Sequence, residues 1–322
     1  MLPARHDLTI GCAHPAYRIQ ASLAARAPDL RSFQVESRDA LSQRIAEADV
    51  LVVSGLWSND LLDRAPRLCF IQSIAAGTDQ FDREALRARG IRLASAQGVN
   101  ERAVAQHAMA LILAVARRLP EARDNQAKAV WRGLISDLAR REDELTGKTL
   151  LIIGLGRIGG RLARLAKAFE MTVIGVRRDP GAGANGADAV HAMAELPALL
   201  PHADYVTLTC PLTPETQGII DAAALARIKP GAVLVNAARG KCVDEAALIA
   251  ALRQGRLYAA ALDVAAEEPL DPASPLWAMP NVLITPHAAG ETRRYEENVV
   301  DILDDNLDRL WRGEATLRNQ IV

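Results

Sequence analysis

The chain has 322 residues, half of them apolar and 24% charged, enough for one large or two ordinary cores. Its formal net charge of -1 leaves no basic excess to hold a polyanion, so no nucleic-acid partner is expected. No stretch approaches the roughly 20 apolar residues that cross a bilayer, so no membrane partner is expected either.

Four scattered cysteines, Cys12, Cys69, Cys210 and Cys242, form no CxxC. That spacing suits a reduced, cytoplasmic setting better than a disulfide framework, and no metal site is expected. The N-terminus has no charged-then-apolar signal layout. Residues 8–10, 48–54, 67–73 and 91–93 read as short strands separated by polar, helix-like stretches.

Asn100 opens a helical pattern, with Val104, Ala108, Leu111, Ile112 and Val115 on one face until Pro120 stops it. Near-continuous apolar strands follow at 149–153, 172–176, 205–208, 232–235, 258–262 and 282–285, as expected where both sheet faces are covered. Helical segments separate most of them, which predicts a doubly wound parallel sheet. A polar helical tail after Pro286 is expected to pack back on the first half, and 181–186 reads as a surface loop.

Gly154-Leu-Gly-Arg-Ile-Gly159 joins a strand to a helical run, and a second strand follows at Thr172. In that context the pattern is a dinucleotide fingerprint. Gly154 allows the tight turn, Gly156 lets the backbone approach a pyrophosphate, and Gly159 lets helix pack on strand. The pyrophosphate is expected on the helix N-terminus near Arg157 and Ile158. At the end of the second strand an NAD site usually carries an acid, but Arg177 and Arg178 stand there, with Asp179 next. Two guanidinium groups attract a 2′-phosphate, so NADP(H) is expected. NAD(H) is the alternative, with both arginines solvated and Asp179 bending back to the ribose.

Arg239, Glu268 and His287 each follow one of the last three strands, where open α/β sheets bind ligands. A cation for a carboxylate, an imidazole to move a proton and a carboxylate to tune it suit hydride transfer to a 2-keto acid.

Together with Cys210-Pro-Leu-Thr-Pro-Glu-Thr216 and the segments 236–240, 263–269 and 285–290, these motifs are highly specific. Across nearly its whole length the chain resembles the D-isomer-specific 2-hydroxyacid dehydrogenase family, which includes glyoxylate/hydroxypyruvate reductases and phosphoglycerate dehydrogenases. The resemblance implies two doubly wound α/β domains with parallel sheets. A dinucleotide-binding domain at 99–286 would be inserted into a discontinuous substrate domain of 1–98 and 287–322. It implies that Arg239 binds the substrate carboxylate and keto oxygen, and that His287 donates the proton. Glu268 would fix the tautomer of His287 and raise its pKa.

The resemblance also implies that Asp263 holds the nicotinamide carboxamide. Cys210, Pro211, Thr216, Ala237, Ala238 and Gly290 would line the cofactor cleft. The loop at Ala76 and Gly77 would grip the substrate through backbone N–H groups, with Ser54 nearby. Trp57 reads equally as pocket wall or core.

A homodimer is implied through the helix from Asn100 and the arm after it, where Trp131 either reaches a partner or covers its own subunit. Small 2-keto or D-2-hydroxy acids are the expected substrates. With nothing after Val322 in this sequence, the feedback-controlled long form of phosphoglycerate dehydrogenase is not expected. An NAD-dependent D-2-hydroxyacid or 3-phosphoglycerate dehydrogenase is the nearer alternative, and a dinucleotide-sensing corepressor the more distant one.

Overall fold

Side chains that alternate across a strand give each sheet two faces, and here both faces of each sheet are apolar. A computed structural model of the chain describes residues 2–322. They divide into two units, Met1–Asn100 with Thr292–Val322, and Glu101–Glu291. The second junction falls after residue 287, so His287 folds with the second unit. Its backbone N–H donates to Asp263 O at 2.7 Å.

The first unit holds β1 (Thr9–Ala13), β2 (Arg31–Val35), β3 (Val50–Val53), β4 (Phe70–Ser73) and β5 (Arg92–Ala94). They form one parallel sheet in the order β2-β1-β3-β4-β5. Val50 and Val52 pack on one face with Val299, Val300 and Leu303 of the helix Tyr295–Trp311. Leu51 and Val53 pack on the other with Leu41, Leu61 and Trp57. Trp57 is 6% exposed and packs with its ring tilted against Phe81, so it belongs to this core.

The second unit holds β6 (Thr149–Ile153), β7 (Thr172–Arg177), β8 (Ala189–Ala192), β9 (Tyr205–Leu208), β10 (Ala232–Asn236), β11 (Leu257–Leu262) and β12 (Val282–Ile284). They form a parallel sheet in the order β12-β11-β10-β9-β6-β7-β8. Leu150 and Ile152 face the helices Glu101–Ala116 and Arg157–Ala168. Leu151 and Ile153 face the side covered by Leu248 and Leu252 of the helix Glu245–Arg253. From β6 the chain runs outward to β8, then crosses back to β9 on the other side. The strand order therefore reverses between β6 and β9, which opens a crevice at their C-terminal ends.

Two strands escaped the pattern, β2 and β8, both at sheet edges. Pro120 does not stop the first helix of the second unit. That helix ends at Ala116, and Arg118 turns the chain at φ 51°. Pro120 then occupies the first turn of the next helix, Leu119–Ala127, where a missing N–H costs nothing. Among the described residues no helix is long and apolar enough to cross a membrane.

Candidate active site

The reversal point carries the glycine motif. Gly154 has φ 101°, and a Cβ there would lie 2.5 Å from the backbone nitrogen of Cys210, beyond the end of β9. Only glycine lets these two strand ends approach so closely. A Cβ on Gly159 would meet Gly154 O at 2.5 Å, which explains the close packing of helix on strand. A Cβ on Gly156 would meet nothing within 4 Å, so that backbone borders open space.

No side chain caps the N-terminus of the helix Arg157–Ala168. Its first N–H groups and dipole thus face the crevice, an arrangement that fits a pyrophosphate. The opposite wall is braced by Thr209, whose hydroxyl donates to Gly154 O at 2.9 Å, and by buried Thr216, whose hydroxyl donates to Pro211 O at 2.6 Å. Cys210, Ala237 and Ala238 are buried beside it, and all four cysteines are free. The Cys242 thiol is pulled below its ordinary value, chiefly by the hydrogen bond it shares with Cys210.

Arg177 ends β7, and its Nη1 donates to the carbonyls of Ala182 and Gly183 at 3.3 and 3.2 Å. Arg178 is exposed. The Asp179 carboxylate accepts the Gly181 N–H at 3.0 Å and caps the turn Pro180–Ala182. Asp179 is thus already engaged in its own loop.

Arg239, Glu268 and His287 lie beyond β10, β11 and β12, three neighbouring parallel strands. Asn236, 1% exposed, braces the first turn by donating to Arg239 O and accepting from Ala238 N, both at 3.0 Å. Gly240 presses on the next loop, since a Cβ there would lie 1.8 Å from Ala265 O. That loop carries Glu268, whose Oε1 accepts the Ala265 N–H at 3.1 Å. Its Oε2 lies 2.6 Å from His287 Nδ1. A carboxylate only accepts, so Nδ1 carries the proton in this pair and Nε2 is left for other chemistry. The two side chains are 47% and 39% exposed, open enough to meet a ligand.

Asp263 is 2% exposed. Its Oδ1 accepts from Thr285 Oγ1 at 2.6 Å and from Ala288 N at 3.0 Å, and Ala289 N reaches Oδ2 at 3.1 Å. Burial opposes the charge, but His107, Thr285 and the Ala289 N–H outweigh it and hold the carboxyl below its usual range. His107, from the helix Glu101–Ala116, was not apparent as a site residue in the sequence. Its only signal there is a polar ring on an otherwise apolar stripe.

In the first unit, Ala76 and Gly77 sit on an exposed loop after β4, and a Cβ on Gly77 would touch only Asp79, at 3.8 Å. The loop is anchored by Ser73, whose hydroxyl donates to Ala75 O at 3.0 Å. Ser54 Oγ accepts from Gln80 Nε2 at 3.1 Å. Gly290 follows the buried Ala289 in the second unit.

Residues 109–289 match the family profile described as D-isomer specific 2-hydroxyacid dehydrogenase, NAD binding domain. D-3-phosphoglycerate dehydrogenase of Methanocaldococcus jannaschii is 38% identical over 283 residues, covering 86% of this chain and 52% of that protein. The chain thus spans about half the length of the phosphoglycerate dehydrogenases it matches. Glyoxylate/hydroxypyruvate reductase B of Yersinia enterocolitica is 37% identical over 283 residues, covering 87% of this chain and 86% of that one. Among solved structures, the NADPH-dependent glyoxylate/hydroxypyruvate reductase of Sinorhizobium meliloti is 28% identical. It superimposes with a TM-score of 0.80, covering 98% of both chains. With the glycine cradle at the strand reversal, these likenesses establish that the chain belongs to the D-isomer specific 2-hydroxyacid dehydrogenase family and carries its nicotinamide dinucleotide-binding domain.

Proposed function

We propose that the chain is a reductase of small 2-keto acids, of the glyoxylate or hydroxypyruvate type, that prefers NADP(H). The observation that carries the reading is the 2.6 Å pair of His287 Nδ1 and Glu268 Oε2, which joins the ends of β12 and β11 beside the β10 end that presents Arg239. Bound cofactor supplies the hydride that reaches the substrate C2. Arg239 holds the substrate carboxylate and polarises the keto oxygen. His287 delivers the proton to that oxygen from Nε2, and recovers it in the oxidative direction. Glu268 keeps the ring oriented through Nδ1. Asp263 holds the carboxamide through Oδ2, the less occupied of its two oxygens. The helix N-terminus at Arg157 and Ile158 takes the pyrophosphate.

NADP(H) preference rests on Arg177 and Arg178 at the end of β7 and on the engagement of Asp179 with Gly181 N. The Arg177 guanidinium is partly used on its own loop, so Arg178 is the principal 2′-phosphate ligand. The NADPH-dependent Sinorhizobium reductase supports the same choice. The test is the KM for NADPH and NADH in wild type and Arg178→Ala. The variant is expected to weaken NADPH about tenfold and leave NADH unchanged. Faster turnover with NADH in the wild type would overturn the preference.

A second reading, NAD-dependent oxidation of 3-phosphoglycerate, is favoured by the 38% identity to phosphoglycerate dehydrogenase. Oxidation of 3-phosphoglycerate with NAD, faster than reduction of glyoxylate with NADPH, would select it.

The same proposal makes the chain a homodimer. It is supported by the arm after Ala127, where Trp131 is 99% exposed and Val130, Leu134 and Leu138 are also exposed. Such a run of bare apolar side chains is characteristic of an interface.

A further inference from the structure

The segment that carries His287 is held in an uncommon shape. His287 has φ 53°, the left-handed region, which is strained for a non-glycine residue. Three consecutive N–H groups tie it down. His287 N donates to Asp263 O, and Ala288 N and Ala289 N donate to the Asp263 carboxylate. The Thr285 hydroxyl lies 2.6 Å from Asp263 Oδ1 and donates to it.

Thr285 has one hydroxyl proton, and that bond uses it. The 2.9 Å contact between Thr285 Oγ1 and His107 Nε2 must therefore have the imidazole as donor. The same nitrogen lies 3.4 Å from Asp263 Oδ1. His107 thus carries a proton on Nε2 and closes a chain that runs from the helix Glu101–Ala116 through Thr285 to Asp263.

The geometry points to His107 as a positioning residue for proton transfer. Its Nε2–H orders Thr285 and Asp263, and Asp263 in turn fixes the backbone turn that aims His287. The inference rests on the reading of His287 as the proton donor.

The test uses full-length protein with His107→Leu, which removes the donor, and His107→Gln, whose amide N–H reaches a similar point. Amide hydrogen exchange at His287, Ala288 and Ala289 needs no substrate. It is expected to quicken about tenfold in His107→Leu and to return toward wild type in His107→Gln. Reduction of glyoxylate with NADPH is expected to lose roughly tenfold in kcat in His107→Leu, with the keto-acid KM little changed.

Combining His107→Leu with Thr285→Val is expected to cost little more than either alone, because both break one chain. If His107→Leu does not fold, Thr285→Val against Thr285→Ser reads the same chain. The hydroxyl-retaining variant should then keep the wild-type exchange pattern. Unchanged exchange and kcat in His107→Leu would overturn the inference, as would a defect in His107→Gln equal to that of His107→Leu. A wild type without turnover would instead overturn the proposed reaction, and the exchange experiment would still decide the positioning role.

Discussion

Replacing Glu268 separates its two tasks, because each of its oxygens has a different partner. Oε1 accepts the Ala265 N–H at 3.1 Å and Oε2 accepts from His287 Nδ1 at 2.6 Å. A glutamine has only one acceptor oxygen. Turned toward Ala265, its NH2 would face Nδ1 and demand the opposite tautomer of the ring. Turned toward His287, it would strand the Ala265 N–H. Glu268→Gln is therefore not a mild change.

The magnitude follows from exposure. A hydrogen bond to a charged group contributes about 1.5–3 kcal/mol, and the pair is 47% and 39% exposed, so screening places it near the lower end. About 1.5 kcal/mol corresponds to roughly tenfold in rate for Glu268→Ala. Glu268→Gln should lose at least as much. The assay is the steady-state decay of nicotinamide absorbance with glyoxylate. The loss should fall on kcat, because in the proposed reaction the pair acts on the proton in flight. A Glu268→Gln enzyme with wild-type kcat, or a defect confined to KM, would refute this account of the pair.

Other consequences are independent of that pair. Gly154→Ala places a Cβ 2.5 Å from Cys210 N at φ 101°, which should cost roughly 2–4 kcal/mol in denaturant unfolding and raise the KM for the cofactor. Asp263 titrates below its usual value in the folded state. Its contribution is therefore complete above the ordinary carboxyl pKa near 4 and lost as pH falls through the lower folded value. Urea unfolding between about pH 3 and 6 should show an acid-side slope that flattens in Asp263→Asn. Trp131→Asp combined with Leu134→Asp should convert the proposed dimer to monomers in sedimentation without unfolding either unit, because both side chains are bare in the single chain.

Much of the second unit could be read in advance because its strands are buried on both faces and appear as plain apolar runs. Thr149–Ile153 and Tyr205–Leu208 are examples. The two missed edge strands, β2 and β8, lack that signal. In Arg31–Val35 only Phe33 and Val35 are buried, and Ala189–Ala192 is half-buried throughout. Pro120 misled because proline marks a helix start as readily as a stop, and only the left-handed turn at Arg118 distinguishes the two. The glycine cradle was legible because strand, turn and helix are contiguous in sequence. His107 was not, because its partner Thr285 lies 178 residues away and only the fold brings them together. The engagement of Asp179 was hidden for the opposite reason. Its partner is two residues away, and from sequence alone a local cap and a ribose ligand look the same.

The most direct test of the central claim is the rate of glyoxylate and hydroxypyruvate reduction by wild type and His287→Asn, with NADPH binding measured alongside. The account predicts turnover of at least one of the two acids by wild type, and a loss of roughly 100- to 10,000-fold in the variant with NADPH affinity retained. A wild type that binds NADPH but reduces neither acid, or a variant that turns over as fast as wild type, would contradict it.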